Sequence, residues 1–191
     1  MYIGLDIGTT TLSAVVLDTD SGALLAQHTT PNRAGMFPAP GRAELDVEQL
    51  QRITIDCLAD IVADAAIDPD KVRGIGVTGQ QHGVAFLDAN GVPVRPAITW
   101  QDLRAQEKIP GSSESYLQRL IAQAGGVEAF RRMGCVPAAG FLGTTLFWLH
   151  ENNQLPSLPL HRLLRPGCGG DLFNRRAACQ RSDTSGQCWG F

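Results

Sequence analysis

The first thirty residues constrain the fold most, because apolar and small side chains recur through three segments joined by very short connections. Residues 2–7, 11–18 and 23–29 are rich in Ile, Leu, Val and Ala, a pattern that predicts three strands. Short turns between consecutive strands favour antiparallel pairing. We therefore expect a sheet that opens with a three-stranded meander.

Beyond a loop at 31–43 that is rich in Pro and Gly, the sequence alternates between helix and strand patterns. Asp46 is a candidate N-cap for a helix over 47–65, where apolar residues recur at helical spacing. Further segments are predicted as strands at 72–78, 84–87 and 92–100, and as helices at 115–124, 127–133 and 144–152. This order favours a mixed α/β domain over residues 1–155, with a sheet covered by helices.

Residues 156–191 form an atypical tail. From about Leu160 onward the chain holds three of its five cysteines and five arginines, but no Val, Ile, Met, Lys or Glu. The sequence shows neither helical nor strand periodicity there. A shifted reading frame or a truncation would produce such a tail, and a genuine but unusual C-terminus is the alternative.

Composition argues against several classes of partner. The net charge of −3 gives no basic footprint for nucleic acid and no polybasic membrane anchor. No stretch approaches the roughly 20 apolar residues that span a bilayer. The five cysteines include no CxxC pair, which argues against a zinc site or a disulfide framework and favours the cytoplasm.

The segment GLDIGTTTLSAVVLD predicts a phosphate-binding hairpin. Gly8 lets the backbone approach a ligand closely, and the turn made with Thr9, Thr10 and Thr11 offers backbone N–H groups and hydroxyls to phosphate oxygens. A carboxylate beside buried strands is costly unless it is paired or holds a metal, so Asp6 is a candidate ligand for Mg²⁺ bound with phosphate. The alternative is an ordinary Gly-Thr hairpin in which Asp6 makes a local turn hydrogen bond.

A second polar cluster follows the strand predicted at 72–78. Gln80, Gln81 and His82 lie between Gly79 and Gly83, and their amides and imidazole offer several donors and acceptors. Such groups suit the recognition of a sugar's hydroxyls. The alternative is a plain surface loop.

A third element, ITWQDLR, follows about twenty residues later. Trp100 is a candidate to stack on a sugar ring, and core filling is its alternative. Asp102 and Arg104 are candidates to shape the same sugar site. The alternative for these two residues is a surface ion pair of little energetic value.

In this order and spacing, GLDIGTT, GQQHG and TWQDLR resemble the FGGY family of carbohydrate kinases, in particular its xylulokinases and sedoheptulokinases. The Glu44–Asp46 element is similar to the family's E-x-D step. The TWQD form and the run over Gly140–Leu149 look more like sedoheptulokinase. Gln81 departs from the family, which usually has Met there. The resemblance covers about residues 1–155.

The resemblance implies an actin-like/Hsp70-like ATPase domain with a ribonuclease H-like sheet. It also implies ATP and Mg²⁺ as cofactors and transfer of the γ-phosphoryl group to a ketose such as sedoheptulose or xylulose. Asp6 would lie near Mg²⁺, Gly8 to Thr11 would hold phosphates, and the remaining six candidates would form the sugar site: Gln80, Gln81, His82, Trp100, Asp102 and Arg104. A homodimer is possible in the complete enzyme.

The resemblance further implies a catalytic Asp and an adenosine-binding second lobe in later sequence. Asp171 and Asp183 follow Glu151, but neither lies in the family's Gly-Asp-Asn or Gly-Asp-Gln setting. We therefore expect an incomplete N-terminal part of a kinase, inactive by itself. The alternative is a non-catalytic remnant that binds sugar or depends on a partner.

Overall fold

The computed structural model describes residues 1–64, 67–132 and 134–156, together with the backbone of a strand at 162–164. The main sheet has four strands in the order β3-β2-β1-β6. Its strands are β1 Tyr2–Ile7, β2 Thr11–Leu17, β3 Leu24–Pro31 and β6 Ile75–Gly79. The first three pair antiparallel, which confirms the predicted meander, and β6 joins β1 in parallel.

The parallel pairing of β1 and β6 requires a crossover, which α1 (Val47–Val62) provides. Asp46 caps this helix, as predicted, by accepting a hydrogen bond from the Gln49 N–H at 2.9 Å. The helix ends at Val62 rather than at the predicted residue 65, which lies outside the described residues. Alternate residues of the strands pack with α1 in one apolar core, among them Leu5, Leu12, Val16, Cys57 and Ile61.

The other face of the sheet carries the intervening side chains of β1 and β2. Tyr2, Val15 and Leu17 are 43%, 37% and 40% exposed there. Asp6 lies on the same face and is exposed, because strand residues alternate between the two faces of a sheet. The cost expected for a carboxylate beside buried strands therefore does not apply to Asp6.

Two small sheets lie beside the main one. One joins β4 Gly35–Met36, β5 Glu44–Leu45 and β8 Ala97–Ile98, and the other pairs β7 Ala85–Leu87 with β9 Arg162–Leu164. The strand predicted over 92–100 is reduced to β8, since prolines at 93 and 96 cannot donate to a strand ladder. β9 lies in the tail where the sequence shows no strand periodicity, and its backbone pairing along β7 does not need such a pattern.

The described residues also contain two short 3-10 helices, Pro69–Lys71 and Arg104–Gln106, and three further α-helices, α2 Tyr116–Gln123, α3 Val127–Arg132 and α4 Leu142–Glu151. These α-helices confirm the predicted helices within a few residues. Ser115 and Gln118 form a capping box at the start of α2. A second apolar core gathers Val84, Phe86, Ile98, Tyr116, Trp148 and Leu149. Among the helices of the described residues, none has the length and apolarity to cross a membrane.

Candidate functional site

The hairpin between β1 and β2 is closed by its own backbone. The Gly8 N–H donates to the Thr11 carbonyl at 3.0 Å, and the Asn32 side-chain amide donates to the Gly8 carbonyl at 2.8 Å. A Cβ on Gly8 would lie 2.7 Å from the Thr11 carbonyl oxygen, closer than real Cβ contacts come. The turn therefore requires glycine at this position.

The Asp6 carboxylate borders this hairpin. Its Oδ2 atom lies 3.6 Å from the position that a Cβ on Gly8 would occupy, and its side chain is open to solvent. Magnesium is commonly held by one or two carboxylates together with phosphate oxygens and water. Within the described part of the chain, no three His, Cys, Asp or Glu residues gather as a metal cluster. A single accessible carboxylate beside this hairpin would fit an ion held mainly by phosphate and water.

A cleft of about 280 Å³ opens beside the hairpin, and we call it the hairpin cleft. Its lining includes the polar residues Thr9, Thr10, Asn32, Arg33, Glu44, Gln80, Thr99 and Gln101, together with Gly35 and the apolar residues Phe37, Ala43 and Leu45. Gln80 was expected in the sugar site, but its side-chain amide points to the Gly8 carbonyl at 3.4 Å. Because β6 runs parallel to β1, the end of β6 lies beside the hairpin and places Gln80 there.

A second cleft, of about 680 Å³, is named here the His82 cleft. It brings together three of the predicted sugar-site residues, and its lining is Gln81, His82, Trp100, Gln101, Leu103, Ala138, Ala139 and Phe141. The His82 ring stacks on the Phe141 ring with centroids 4.0 Å apart and 6° between the ring planes. His82 also has φ of 63°, in the left-handed region that non-glycine residues seldom occupy. Such strain persists where the surrounding structure enforces it, often at ligand sites.

Trp100 lines the His82 cleft and contacts Thr9 of the hairpin cleft. Its side chain is 47% exposed, so the core-filling alternative is wrong. The indole Nε1–H donates to the Thr9 hydroxyl at 3.1 Å. Its backbone is packed by Gly140, where a Cβ would lie 1.8 Å from the Trp100 carbonyl oxygen.

Asp102 and Arg104 are buried, at 0% and 2% exposure, so the surface ion pair considered for them is wrong. The Arg104 guanidinium donates to both Asp102 carboxylate oxygens, at 2.6 and 2.9 Å, and to Glu44 at 2.8 Å. The second Asp102 oxygen also accepts from the Ala43 N–H at 2.8 Å. This network ties the ITWQDLR element to the segment around β5, behind the clefts. Because neither side chain reaches a cleft surface, the expected direct sugar contact is not met in this structure.

The network shifts the acidity of both groups. Burial alone would raise the pKa of the Asp102 carboxyl, but the hydrogen bonds from Arg104 and from the Ala43 N–H hold it below its ordinary value. Burial alone would lower the pKa of Arg104, and its bonds to Asp102 and Glu44 raise it instead. Both groups are therefore held in their charged forms.

Several site residues were not assigned from the sequence, and Asn32, Gln101 and Phe141 are among them. Asn32 lies in the Pro- and Gly-rich loop with no periodic signal, and only the fold brings it to the hairpin 24 positions earlier. Phe141 stands in the run over Gly140–Leu149, which resembled the family but carried no polar chemistry. Its ring contact with His82 depends on the packing of α4, which local sequence patterns do not specify.

The motifs and the fold agree with one family. A family model described as the N-terminal domain of the FGGY family of carbohydrate kinases matches residues 1–156. The chain belongs to this family. As an FGGY kinase domain, it is similar over most of its length to xylulose and glycerol kinases.

The xylulose kinase of Streptomyces coelicolor is 30% identical over 194 residues, which cover 99% of this FGGY chain and 37% of that enzyme. The glycerol kinase of Thermococcus kodakarensis is 29% identical over 151 residues, covering 78% of this chain and 28% of that enzyme. The chain therefore spans well under half the length of these curated relatives.

Solved structures agree with the fold of this FGGY domain. The xyloylose kinase from Brucella ovis superposes with a TM-score of 0.70 at 26% identity, over 87% of this chain and 32% of that one. The xylulose kinase from Rhodospirillum rubrum gives a TM-score of 0.64 at 29% identity, over 78% and 28% of the two chains. The expected actin-like ATPase fold, a mixed sheet with helices, is thereby confirmed.

Proposed function

We propose that this chain supplies the phosphate hairpin and the sugar cleft of a kinase that transfers the γ-phosphoryl group of ATP to a hydroxyl of a ketose. The observation that carries the proposal is the contact between the two clefts. Gln101 lines both of them, and Trp100 in one is hydrogen-bonded to Thr9 in the other. Phosphoryl transfer depends on such positioning of donor and acceptor groups.

The residues divide between the two substrates. The backbone around Gly8 and the hydroxyls of Thr9, Thr10 and Thr11 bind phosphate oxygens. Asp6 holds Mg²⁺, which when bound neutralises charge on the phosphates.

Gln81 and His82 donate to and accept from the sugar hydroxyls, and Trp100 offers its indole face to the sugar. Gln80 supports the hairpin by donating its side-chain amide to the Gly8 carbonyl. Asp102 and Arg104 act indirectly, by fixing the backbone that carries Trp100 and Gln101.

The ketose is xylulose or sedoheptulose in this proposal. Relatives named as xylulose kinases support the first, and the TWQD and GFLGTT elements support the second. We further propose that residues 1–155 form the domain and that residues 156–191 form a separate tail. The remaining lobe and the catalytic base lie in sequence beyond this chain in this proposal. The kinase works in the cytoplasm. A homodimer, and the absence of nucleic-acid and membrane partners, remain predictions.

One observation favours a second candidate function, that of a remnant that depends on a partner. The sheet face opposite α1 leaves Tyr2, Val15 and Leu17 exposed. Exposed apolar surface of this kind suits association with another polypeptide. A chain of this sort would bind sugar without turning it over.

A chimaera tests the proposal directly. Residues 1–156 replace the matching segment of the Streptomyces coelicolor xylulose kinase, and ADP release is measured with MgATP and either xylulose, sedoheptulose or glycerol. We expect ketose-dependent release, and Asp6→Ala should lower it by about two orders of magnitude, since metal charge stabilisation is worth several kcal/mol. The 191-residue chain by itself should release no ADP above background.

Two outcomes would contradict this account. A folded chimaera that releases no ADP with any ketose would favour the non-catalytic remnant. Ketose-dependent turnover by the chain alone, lost in Asp6→Ala, would show that a second lobe is not required.

A further inference from the structure

The hydrogen bond between Trp100 and Thr9 joins residues that the sequence assigned to different ligands. The two residues are 91 positions apart, and the indole nitrogen lies 3.1 Å from the threonine hydroxyl oxygen. Trp100 lines the His82 cleft and Thr9 lines the hairpin cleft. The bond therefore runs from one cleft to the other.

The chemistry of the bond fixes its direction. An indole N–H can only donate, so the Thr9 oxygen must accept and its own hydrogen stays free to donate elsewhere. In the hairpin cleft that hydrogen can serve an anionic oxygen. A hydroxyl that donates to an anion becomes a better acceptor, which strengthens the bond from Trp100.

The backbone of Trp100 is held firmly while its ring stays exposed. The preceding Thr99 makes two hydrogen bonds to the Ala43 carbonyl, from its N–H at 2.9 Å and from its hydroxyl at 3.1 Å. Gly140 packs against the Trp100 carbonyl from the other side. With the backbone fixed, the hydrogen bond to Thr9 acts on the orientation of the exposed indole ring.

We propose that the Trp100–Thr9 hydrogen bond couples the two clefts, so that phosphate bound at the hairpin orders the Trp100 ring and increases the affinity of the His82 cleft for a ketose. Trp100 is then a positioning residue for Thr9 as well as a wall of the sugar site. Ordering the ring before the sugar arrives lowers the entropy lost on binding, which gives positive cooperativity. This inference rests on the proposed function.

The experiment uses the 191-residue chain, with magnesium tripolyphosphate as the phosphate probe and D-xylulose as the sugar. Calorimetry measures the D-xylulose Kd with and without saturating tripolyphosphate. We expect tripolyphosphate to lower that Kd on the order of fivefold, the lower end of usual coupling factors. Thr9→Val keeps the shape of the side chain but loses the acceptor oxygen. This variant and Trp100→Phe should each reduce the coupling factor, the ratio of the two D-xylulose Kd values, to about one. Thr9→Ser should keep it.

Thr29→Val is the matched control, because Thr29 on β3 loses a similar hydroxyl contact, with Ser13 on β2 at 3.0 Å, and neither residue lines a cleft. It should leave the coupling factor unchanged. A second readout is the Trp100 indole N–H signal in ¹H–¹⁵N spectra, which Trp100→Phe assigns among the three tryptophans. Tripolyphosphate should shift this signal in the wild-type chain and in Thr9→Ser, but not in Thr9→Val.

The outcomes separate the two proposals. A wild-type chain that binds neither probe would overturn the proposed function and this inference with it. Binding of both probes without coupling, or coupling that persists in Thr9→Val, would overturn the inference alone.

Discussion

Replacing Asp102 by Ala should lower the free energy of unfolding by about 3–5 kcal/mol, the usual cost of removing one partner from a buried ion pair. The substitution leaves the Arg104 guanidinium buried with Glu44 alone, and it removes the acceptor of the Ala43 N–H. Urea denaturation followed by circular dichroism measures the loss. The matched control is Asp56→Ala on the exposed face of α1, which should change stability by no more than about 0.5 kcal/mol. Equal losses in both variants would contradict the structural role of Asp102.

The same carboxylate gives a dependence of stability on pH. The pKa of Asp102 is lowered in the folded chain from an ordinary value of 3.8, so its contribution is complete above that value and is lost as pH falls through the folded pKa. The difference in stability between wild type and Asp102→Asn should therefore be constant at neutral pH and shrink below about pH 4. A difference that grows on acidification would contradict the assignment.

Gly140→Ala should lower the free energy of unfolding by about 3 kcal/mol or more, because backbone strain and steric overlap are among the causes of large destabilisation. Gly140 has φ of 82°, which L side chains rarely adopt, and its Cβ would overlap the Trp100 carbonyl oxygen at 1.8 Å. Relief of the overlap must move Trp100, so the intrinsic tryptophan fluorescence of the chain should change as well.

Gly143→Ala is the control for this substitution. Gly143 lies in α4 with nothing within 4 Å of its Cβ position, so alanine there should stabilise the helix by about 0.5–1 kcal/mol. Similar unfolding midpoints for the two variants would contradict the close packing of Gly140 on Trp100.

The parts of the site that were predictable are local. The hairpin could be predicted because strand alternation, Gly8 and the threonines all lie within one short segment, and its closing hydrogen bond spans only three residues. The helix cap at Asp46 follows the same logic. Both depend on backbone geometry that neighbouring residues determine.

What could not be predicted depends on contacts between distant segments. Asp102 and Arg104 look like a loop ion pair in sequence, and they are buried only because Glu44 and Ala43 close over them from about 60 positions away. The direction of Gln80 follows from the parallel placement of β6 beside β1. The exposure of Asp6, by contrast, follows from the alternation within β1, which puts Leu5 and Ile7 in the core and Asp6 on the opposite face.

Ketose binding in the His82 cleft is tested most directly by calorimetric titration of D-xylulose into the chain in the presence of magnesium tripolyphosphate. The variant is His82→Asn, since asparagine tolerates the positive φ observed at this position. The control is His150→Asn at the exposed end of α4. We predict saturable binding to the wild-type chain and to His150→Asn, and an affinity about tenfold or more lower for His82→Asn, because a polar group is left unpaired. Binding that is indifferent to His82, or no saturable binding of D-xylulose, sedoheptulose or glycerol, would contradict the account.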